Sequence, residues 1–304
     1  MSDALGALAR GEVYQPLRTI VRPPGARGLL GLMPAYRSGD RGAFGLKAIC
    51  VFPGNPSLGK DAHQGTVMLF SQETGEPLAL MNASQITAIR TAAVSAVATR
   101  LLARDDAAEL GIIGAGVQAR THLVALACVR PIKRARVACR NVDHAFQLVR
   151  EMQDKLPFTI EPVAFNEAAV RDAEIIVTAT SAHEPVLKRD WIAAGAHINA
   201  IGTHSPQSRE IDTATMAAAR IFTDRRESAL NEAGDYLLAA QEGAVTPDDI
   251  IAEIGELLIG KPGRTSPAEI TLFKSLGLAI EDVVCAEHLF RKATAEKVGT
   301  WVNF

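Results

Sequence analysis

The residues with most chemistry to offer stand in four places. The first is IIGAGVQA, Ile112 to Ala119. A short apolar strand breaks into glycines and restarts as a helix, as a chain does when a phosphate must approach its backbone. Gly114 makes the tight turn, Gly116 lets the backbone reach a pyrophosphate, and Ala119 takes the third small position. Val117 and Gln118 open the helix whose N-terminus faces the phosphate charge. The second place is ACRN, ending at Asn141. A carboxylate at this strand end would bind the ribose 2′-OH of NAD, but Arg140 and Asn141 stand there instead. An arginine suits a 2′-phosphate through bidentate contact, so NADP(H) is the expected preference, with NAD(H) possible. A solvated loop arginine is the other reading. The third is TATSAHEP, where Thr178, Thr180 and Ser181 stand at the carboxyl edge of a strand, either facing a ligand or filling the strand. The fourth is a pair of cations inside apolar segments. Lys47 interrupts AFGLKAICVF. It either snorkels from a sheet edge or is held in a pocket as proton donor or carboxylate partner. Arg90 lies on the helical stripe Ile86, Arg90, Ala93, Val97, Leu101. A buried arginine needs an anionic partner, either a structural acid or the carboxylate of a substrate.

The elements that must position these residues fall into two patterns. From about Leu29 to Leu80, the runs RGLLGLMPAY, AFGLKAICVF, GTVMLFS and EPLALMN read as a meander of antiparallel strands, with a hairpin turn at ETGEP. At Ser84 the period changes to a helix with Ser84 as its cap. From 108 onward strand-like runs (ELGII, RARVAC, IEPVAF, EIIVTAT, AHINAIG, RIFTD) alternate with helical stretches such as 117–129 and 142–154. After a loop at 260–268, EITLFKS reads as a last strand and 277–296 as a closing helix. Such alternation predicts an α/β fold: a Rossmann-type doubly wound parallel sheet, beside a second α+β domain of antiparallel strands. The α+β domain is expected over 1–105 with the closing helix at about 280–304, and the NAD(P)-binding domain over 106–279.

Composition excludes several classes. The formal net charge is −2 and aromatics are 5% of the 304 residues, so neither nucleic acid nor an anionic membrane is an expected partner. Cys50, Cys128, Cys139 and Cys285 are dispersed, which predicts free thiols in a reducing compartment and no zinc site. The first residues lack the apolar core of a signal peptide, and no run of about 18 apolar residues exists to span a membrane. A cytoplasmic location is the expectation.

Together these residues resemble the ornithine cyclodeaminase/mu-crystallin family. The resemblance is carried by LMPAY, LKAICVFPGNPSLGKDAHQGTVMLF, ETGEPLALMNASQITAIRTAAVSA, GIIGAGVQA, TATSAHEPVL and INAIGTHSPQSREID. It implies a Rossmann domain and a substrate and dimerisation domain completed by the returning C-terminal helix. It also implies a homodimer, with a small α-imino or α-amino acid bound between the domains against the nicotinamide. Family activities include ornithine cyclodeamination, alanine dehydrogenation and reduction of cyclic imines; mu-crystallin also binds thyroid hormone. Lys47 resembles the family's active-site lysine and Arg90 its carboxylate-binding arginine. A further arginine touches that carboxylate, for which Arg18 is the candidate and Arg22 the alternative. In the cyclodeaminase an aspartate follows the glycine that ends the fifth Rossmann strand and acts as base during ring closure. Gly202, expected at the cofactor, is that glycine here, and AIGTHSP puts His204 in the aspartate's place, as a substitute acid/base or a loop residue without a role. A family glutamate ahead of LMP is Gly31, and the acid that selects NAD is Arg140. All three departures point away from ornithine cyclodeaminase itself. The expected activity is reduction of a small cyclic imino acid such as pyrroline-2-carboxylate, with ornithine cyclodeamination, alanine-type dehydrogenation or mu-crystallin-like binding of a small ligand as the alternatives.

Overall fold

The computed structural model describes residues 1–302, the Pro56 side chain excepted. The chain divides into two compact units, one of Met1–Arg90 together with the residues from Gly277 onward, the other of Thr91–Leu276.

The first unit opens with helix α1 (Ser2–Ala9) and then forms strands β1 (Val13–Tyr14), β2 (Thr19–Val21), β3 (Leu29–Arg37), β4 (Ala43–Val51), β5 (His63–Ser71) and β6 (Pro77–Asn82). They make one antiparallel sheet in the order β1-β3-β4-β5-β6, with β2 also on β3. Side chains alternate between faces, as a two-residue period requires. On β4, Ala43, Gly45, Lys47 and Ile49 are buried, while Phe44 is exposed and Leu46, Ala48 and Cys50 are half-buried. The closing helix Ala279–Glu296 packs on the buried face, against β3, β4 and β5. It passes close over Gly45, where a Cβ would overlap Val283.

Helix α2 (Ala83–Leu102) follows β6. Its cap is Asn82, not Ser84: Asn82 Oδ1 accepts the Gln85 N–H at 3.0 Å, and the Ser84 hydroxyl donates instead to the His63 carbonyl. The asparagine oxygen reaches the orphan N–H of the first turn, as a good N-cap does. Ile86, Arg90 and Val97 are buried as the stripe requires, but from Thr91 to Thr99 only Ala93 is not fully buried. A one-sided stripe therefore understates this helix. Ala96 and Ala103 join the core beneath the parallel sheet, which carries the division between units to Arg90/Thr91 rather than 105/106.

In the second unit, β7 (Glu109–Ile113), β8 (Arg134–Ala138), β9 (Thr159–Pro162), β10 (Ile175–Thr178), β11 (His197–Ala200), β12 (Arg220–Thr223), β13 (Ile250–Glu253) and β14 (Thr271–Lys274) form one parallel sheet. The order is β13-β12-β14-β11-β10-β7-β8-β9. The strand β13, IIAE, is an addition to the sequence reading; four residues with no alternation carry little signal. Helices α3 (Val117–Ala127) and α4 (Val142–Met152) follow the first two strands. Alternate residues enter two cores, Ile112 and Val177 on one face, Ile113 and Ile176 on the other, so both faces are covered. The chain runs outward from β7 through β8 to β9 and then returns to β10 on the other side of β7. The carboxyl ends of β7 and β10 therefore flank a topological switch point, where open α/β sheets bind ligands. Among the described residues no helix is long and apolar enough to cross a membrane.

Candidate active site

The glycine turn lies at this switch point. Gly114 has φ +117°, and a Cβ there would overlap the Ala179 carbonyl, so the position admits only glycine. Its N–H donates to the Ala138 carbonyl at 2.8 Å. Gly116 caps α3 without a side-chain hydrogen bond, and a Cβ there would meet nothing within 4 Å. The first-turn N–H groups thus open onto space that an anion can enter, with the helix dipole in its favour. Ala119 is fully buried against the sheet, and Val117 is exposed beside the turn. These features fit the pyrophosphate of a dinucleotide. Arg140 is exposed just beyond β8, while Asn141 caps α4, its Oδ1 accepting from the Asp143 N–H at 3.0 Å.

The ends of β10 and β11 are tied together by a residue that sequence reasoning missed. Glu210 Oε1 accepts from the Thr180 N–H and hydroxyl, both at 2.7 Å, and Oε2 from the Thr178 hydroxyl at 2.9 Å and the Gly202 N–H at 2.7 Å. Thr178 is fully buried with its hydroxyl on Glu210, so its duty is to the scaffold; Ser181 is exposed. Gly202 is pressed against Thr180 too closely for any side chain. Burial pushes the Glu210 carboxyl up, and Lys274 with the Thr180 donors opposes it. Asp235 stands behind it, accepting from the Glu210 and Ile211 N–H groups and from the Thr203 hydroxyl. Lys274 Nζ lies 2.8 Å from Asp235 and donates to the Thr203 carbonyl at 2.6 Å. His204, next in the chain, is exposed. Nothing in SREID distinguishes Glu210 from a surface acid, because its partners stand at the ends of strands outside that stretch.

The two buried cations come together in the antiparallel unit. Lys47 is 2% exposed on a central strand, so it does not snorkel from an edge. Its Nζ lies 2.6 Å from Asp282 Oδ2. Arg90 donates through Nε to Asp282 Oδ1 at 3.1 Å and through Nη1 to Glu281 Oε2 at 2.6 Å. Glu281 and Asp282, in the first turn of the closing helix, are completely buried. Their sequence signal is weak, since adjacent acids at a helix start normally face water and the dipole. Arg18 Nη2 donates to the Gly277 carbonyl at 3.0 Å, and Arg90 packs on the same glycine, where a Cβ would lie 2.6 Å from Nη1. Gly277 has φ +75°. Arg18 is thus gathered with Arg90, whereas Arg22 is exposed. Burial lowers the Lys47 pKa to about 8, with Asp282 resisting and Arg90 adding to the fall. Burial also opposes charge on Arg90, but Asp282 and Glu281 outweigh it and hold the guanidinium above its usual value. A protonated amine that titrates near working pH, beside guanidinium groups, is equipped to hold a carboxylate and deliver a proton.

A profile of the ornithine cyclodeaminase/mu-crystallin family matches residues 1–297. The chain is 37% identical to a Delta(1)-pyrroline-2-carboxylate reductase of Bacillus cereus, covering 99% of this chain and 93% of that protein. It is 40% identical to the ketimine reductase mu-crystallin of Mus musculus, covering 92% and 85%. Among solved structures, Thermococcus litoralis Delta(1)-pyrroline-2-carboxylate reductase in complex with NADH and L-proline matches with a TM-score of 0.96 at 41% identity, covering 99% of this chain and 93% of that one. With the glycine turn at the switch point and Lys47 beside Arg90, the chain belongs to the ornithine cyclodeaminase/mu-crystallin family.

Proposed function

We propose that this protein is an NAD(P)H-dependent oxidoreductase that reduces the C=N bond of a small cyclic imino acid, with pyrroline-2-carboxylate the best-fitting substrate. The observation that carries the reading is the buried cluster of Lys47, Arg90 and Asp282 in a chain of this family. Arg90, with Arg18, holds the substrate carboxylate and so fixes the ring. Lys47 in its charged form keeps the imine nitrogen protonated. Gly114, Gly116 and the first turn of α3 would hold the pyrophosphate of a dinucleotide, whose nicotinamide would supply the hydride. The neighbours of Lys47 on the buried sheet face are Met33 and Val67, which suit an apolar ring.

Ornithine is a poorer fit. Its second ammonium calls for an acid, and the family's glutamate position is Gly31, an apolar site against Ile20 and Ile49. His204 stands in place of the ring-closing aspartate, and an imidazole, unlike a carboxylate, is a base only in its neutral form. With saturating cofactor, ammonia release from ornithine is expected to be absent or very slow, while NADPH oxidation with a panel of cyclic imines is measurable. Rapid, stoichiometric proline formation from ornithine would replace this reading with cyclodeamination.

NADPH is the proposed reductant, because Arg140 stands where NAD enzymes of this fold carry an acid. Arg140→Asp removes a charged hydrogen bond of about 1.5–3 kcal/mol and adds repulsion, so NADPH should bind roughly 10- to 100-fold more weakly and NADH should become the tighter ligand. Equal dissociation constants for the two in the unmodified protein sink the preference. A homodimer belongs to the proposal as well. The outer face of the antiparallel sheet carries the cross-strand row Pro34, Leu46, Met68 and Leu80 beside Tyr36, Phe44 and Phe70, an apolar surface of the kind that marks an interface. The four free cysteines favour a reducing, cytoplasmic setting.

A further inference from the structure

We propose that Asp282 is the positioning residue of the proton-donating step, a single carboxylate that keeps Lys47 charged and aims it relative to Arg90. The functional half of this rests on the reading above; the electrostatic half rests on geometry alone. The two oxygens of Asp282 serve two cations, Oδ2 on Lys47 at 2.6 Å and Oδ1 on the Arg90 Nε at 3.1 Å. All three side chains are buried, and Asp282 is held on the first turn of a helix packed against Lys47's own strand. The amine that gives the proton and the guanidinium that takes the carboxylate are therefore fixed to one rigid anion. A shift of Asp282 moves both, and loss of its charge removes the ion-pair partner of Lys47 while Arg90 and Arg18 still oppose its charge.

The charged neighbours of Lys47 bear this out. From the closing helix comes Asp282, with Glu281 one residue before it on Arg90; from α2 comes Arg90, and from the segment ahead of β2 comes Arg18. On β5, His63 feels the positive charge of Lys47, and Cys285, one turn on in the closing helix, has its thiol pushed up by burial and then by Asp282. Only Asp282 lies within ion-pair distance of Lys47 among the described residues. Burial drives Lys47 toward its neutral form, and Asp282 is the main force in the opposite direction.

The test is Asp282→Asn, which keeps an oxygen for Arg90 and removes the charge. Lys47 is followed directly by NMR titration of its labelled side chain, assigned through Lys47→Met. In parallel, the pH profile of kcat/KM is measured with pyrroline-2-carboxylate and NADPH. The Lys47 titration and the alkaline limb should both move to lower pH by about one to three pH units. The substrate's own ionisation is common to both proteins and cancels in the comparison. Glu281→Gln, which neutralises the acid on Arg90 alone, should move the limb less. Asp282→Glu keeps the charge but displaces it by one methylene, and should hold the limb in place while lowering kcat at least tenfold. A Lys47 titration unmoved by Asp282→Asn overturns the proposal. If that variant does not fold, an Asp282→Glu protein with unreduced kcat overturns it alone. Should Lys47 shift as expected while no cyclic imine is reduced by the unmodified protein, the proposed reaction falls and the hold of Asp282 on Lys47 stands.

Discussion

Arg90→Ala should lower kcat/KM for a cyclic imino acid by about a thousand- to ten-thousand-fold, with kcat falling and KM rising together. One lost charged hydrogen bond accounts for about 1.5–3 kcal/mol, or roughly 10- to 100-fold. The remainder has a specific source in this site. Without Arg90, Glu281 loses its 2.6 Å partner and Asp282 retains Lys47 alone. The incoming carboxylate then meets two buried acids instead of a guanidinium. Losing one side of a buried ion pair also destabilises the fold by about 3–5 kcal/mol. Steady-state kinetics on the folded variant, paired with urea unfolding, separates the two effects. A variant that is destabilised but keeps near-normal kcat/KM would show that Arg90 serves the ion pair only, and that the carboxylate binds elsewhere.

Lys47→Met should remove most of the reduction, about 100- to 10,000-fold in kcat, the range for loss of a positioned proton donor. Methionine matches the buried length without the charge. The pH profile adds a second signature. A donor must be protonated to act, and the Lys47 pKa is lowered to about 8, so kcat/KM of the unmodified enzyme falls as pH rises through that value. That limb should vanish in the methionine variant. His204→Ala should cost less than about tenfold, since His204 is exposed and hydride addition to a preformed imine needs no base. Direct titration should show unchanged dinucleotide affinity in both variants. A His204 variant as impaired as the Lys47 variant would transfer the proton-donating role to the histidine.

The legible parts of this protein are those with local rules. The glycine turn announces itself because a positive φ and a close approach leave only one residue type, and Gly114 shows both. The meander and the strands β7 to β12 follow from alternation and from turn residues. Lys47 and Arg90 stand out because they are charges in apolar runs. The anions were illegible for the converse reason. Glu281 and Asp282 sit where any helix would carry acids, and Glu210 in a loop where any loop would. What distinguishes them is burial against partners 191 residues away for Glu281 and 32 for Thr178 with Glu210, which no window of sequence contains. The Ser84 cap failed on a smaller scale: two adjacent residues can both cap, and the asparagine won. Thr178 illustrates a third limit, since a hydroxyl at a ligand-binding edge can be turned wholly toward the scaffold.

The closing helix has a consequence for how the molecule is made. The cover of the antiparallel sheet is encoded after the whole parallel sheet, so Arg18 meets Gly277 across 259 residues of chain. During synthesis the sheet face bearing Met33, Lys47, Val67 and Leu69 leaves the ribosome with nothing to lie on it. Loop-closure entropy makes contacts of this separation costly to form early, while the parallel unit is contiguous and needs no later chain for its own core. Water solvates Lys47 and Arg90 in that interval, and their desolvation is deferred to the final docking of Glu281 and Asp282. The helix turn that assembles the charged centre is thus made after the whole parallel sheet, and no nascent chain that stops before Asp282 carries the paired cations.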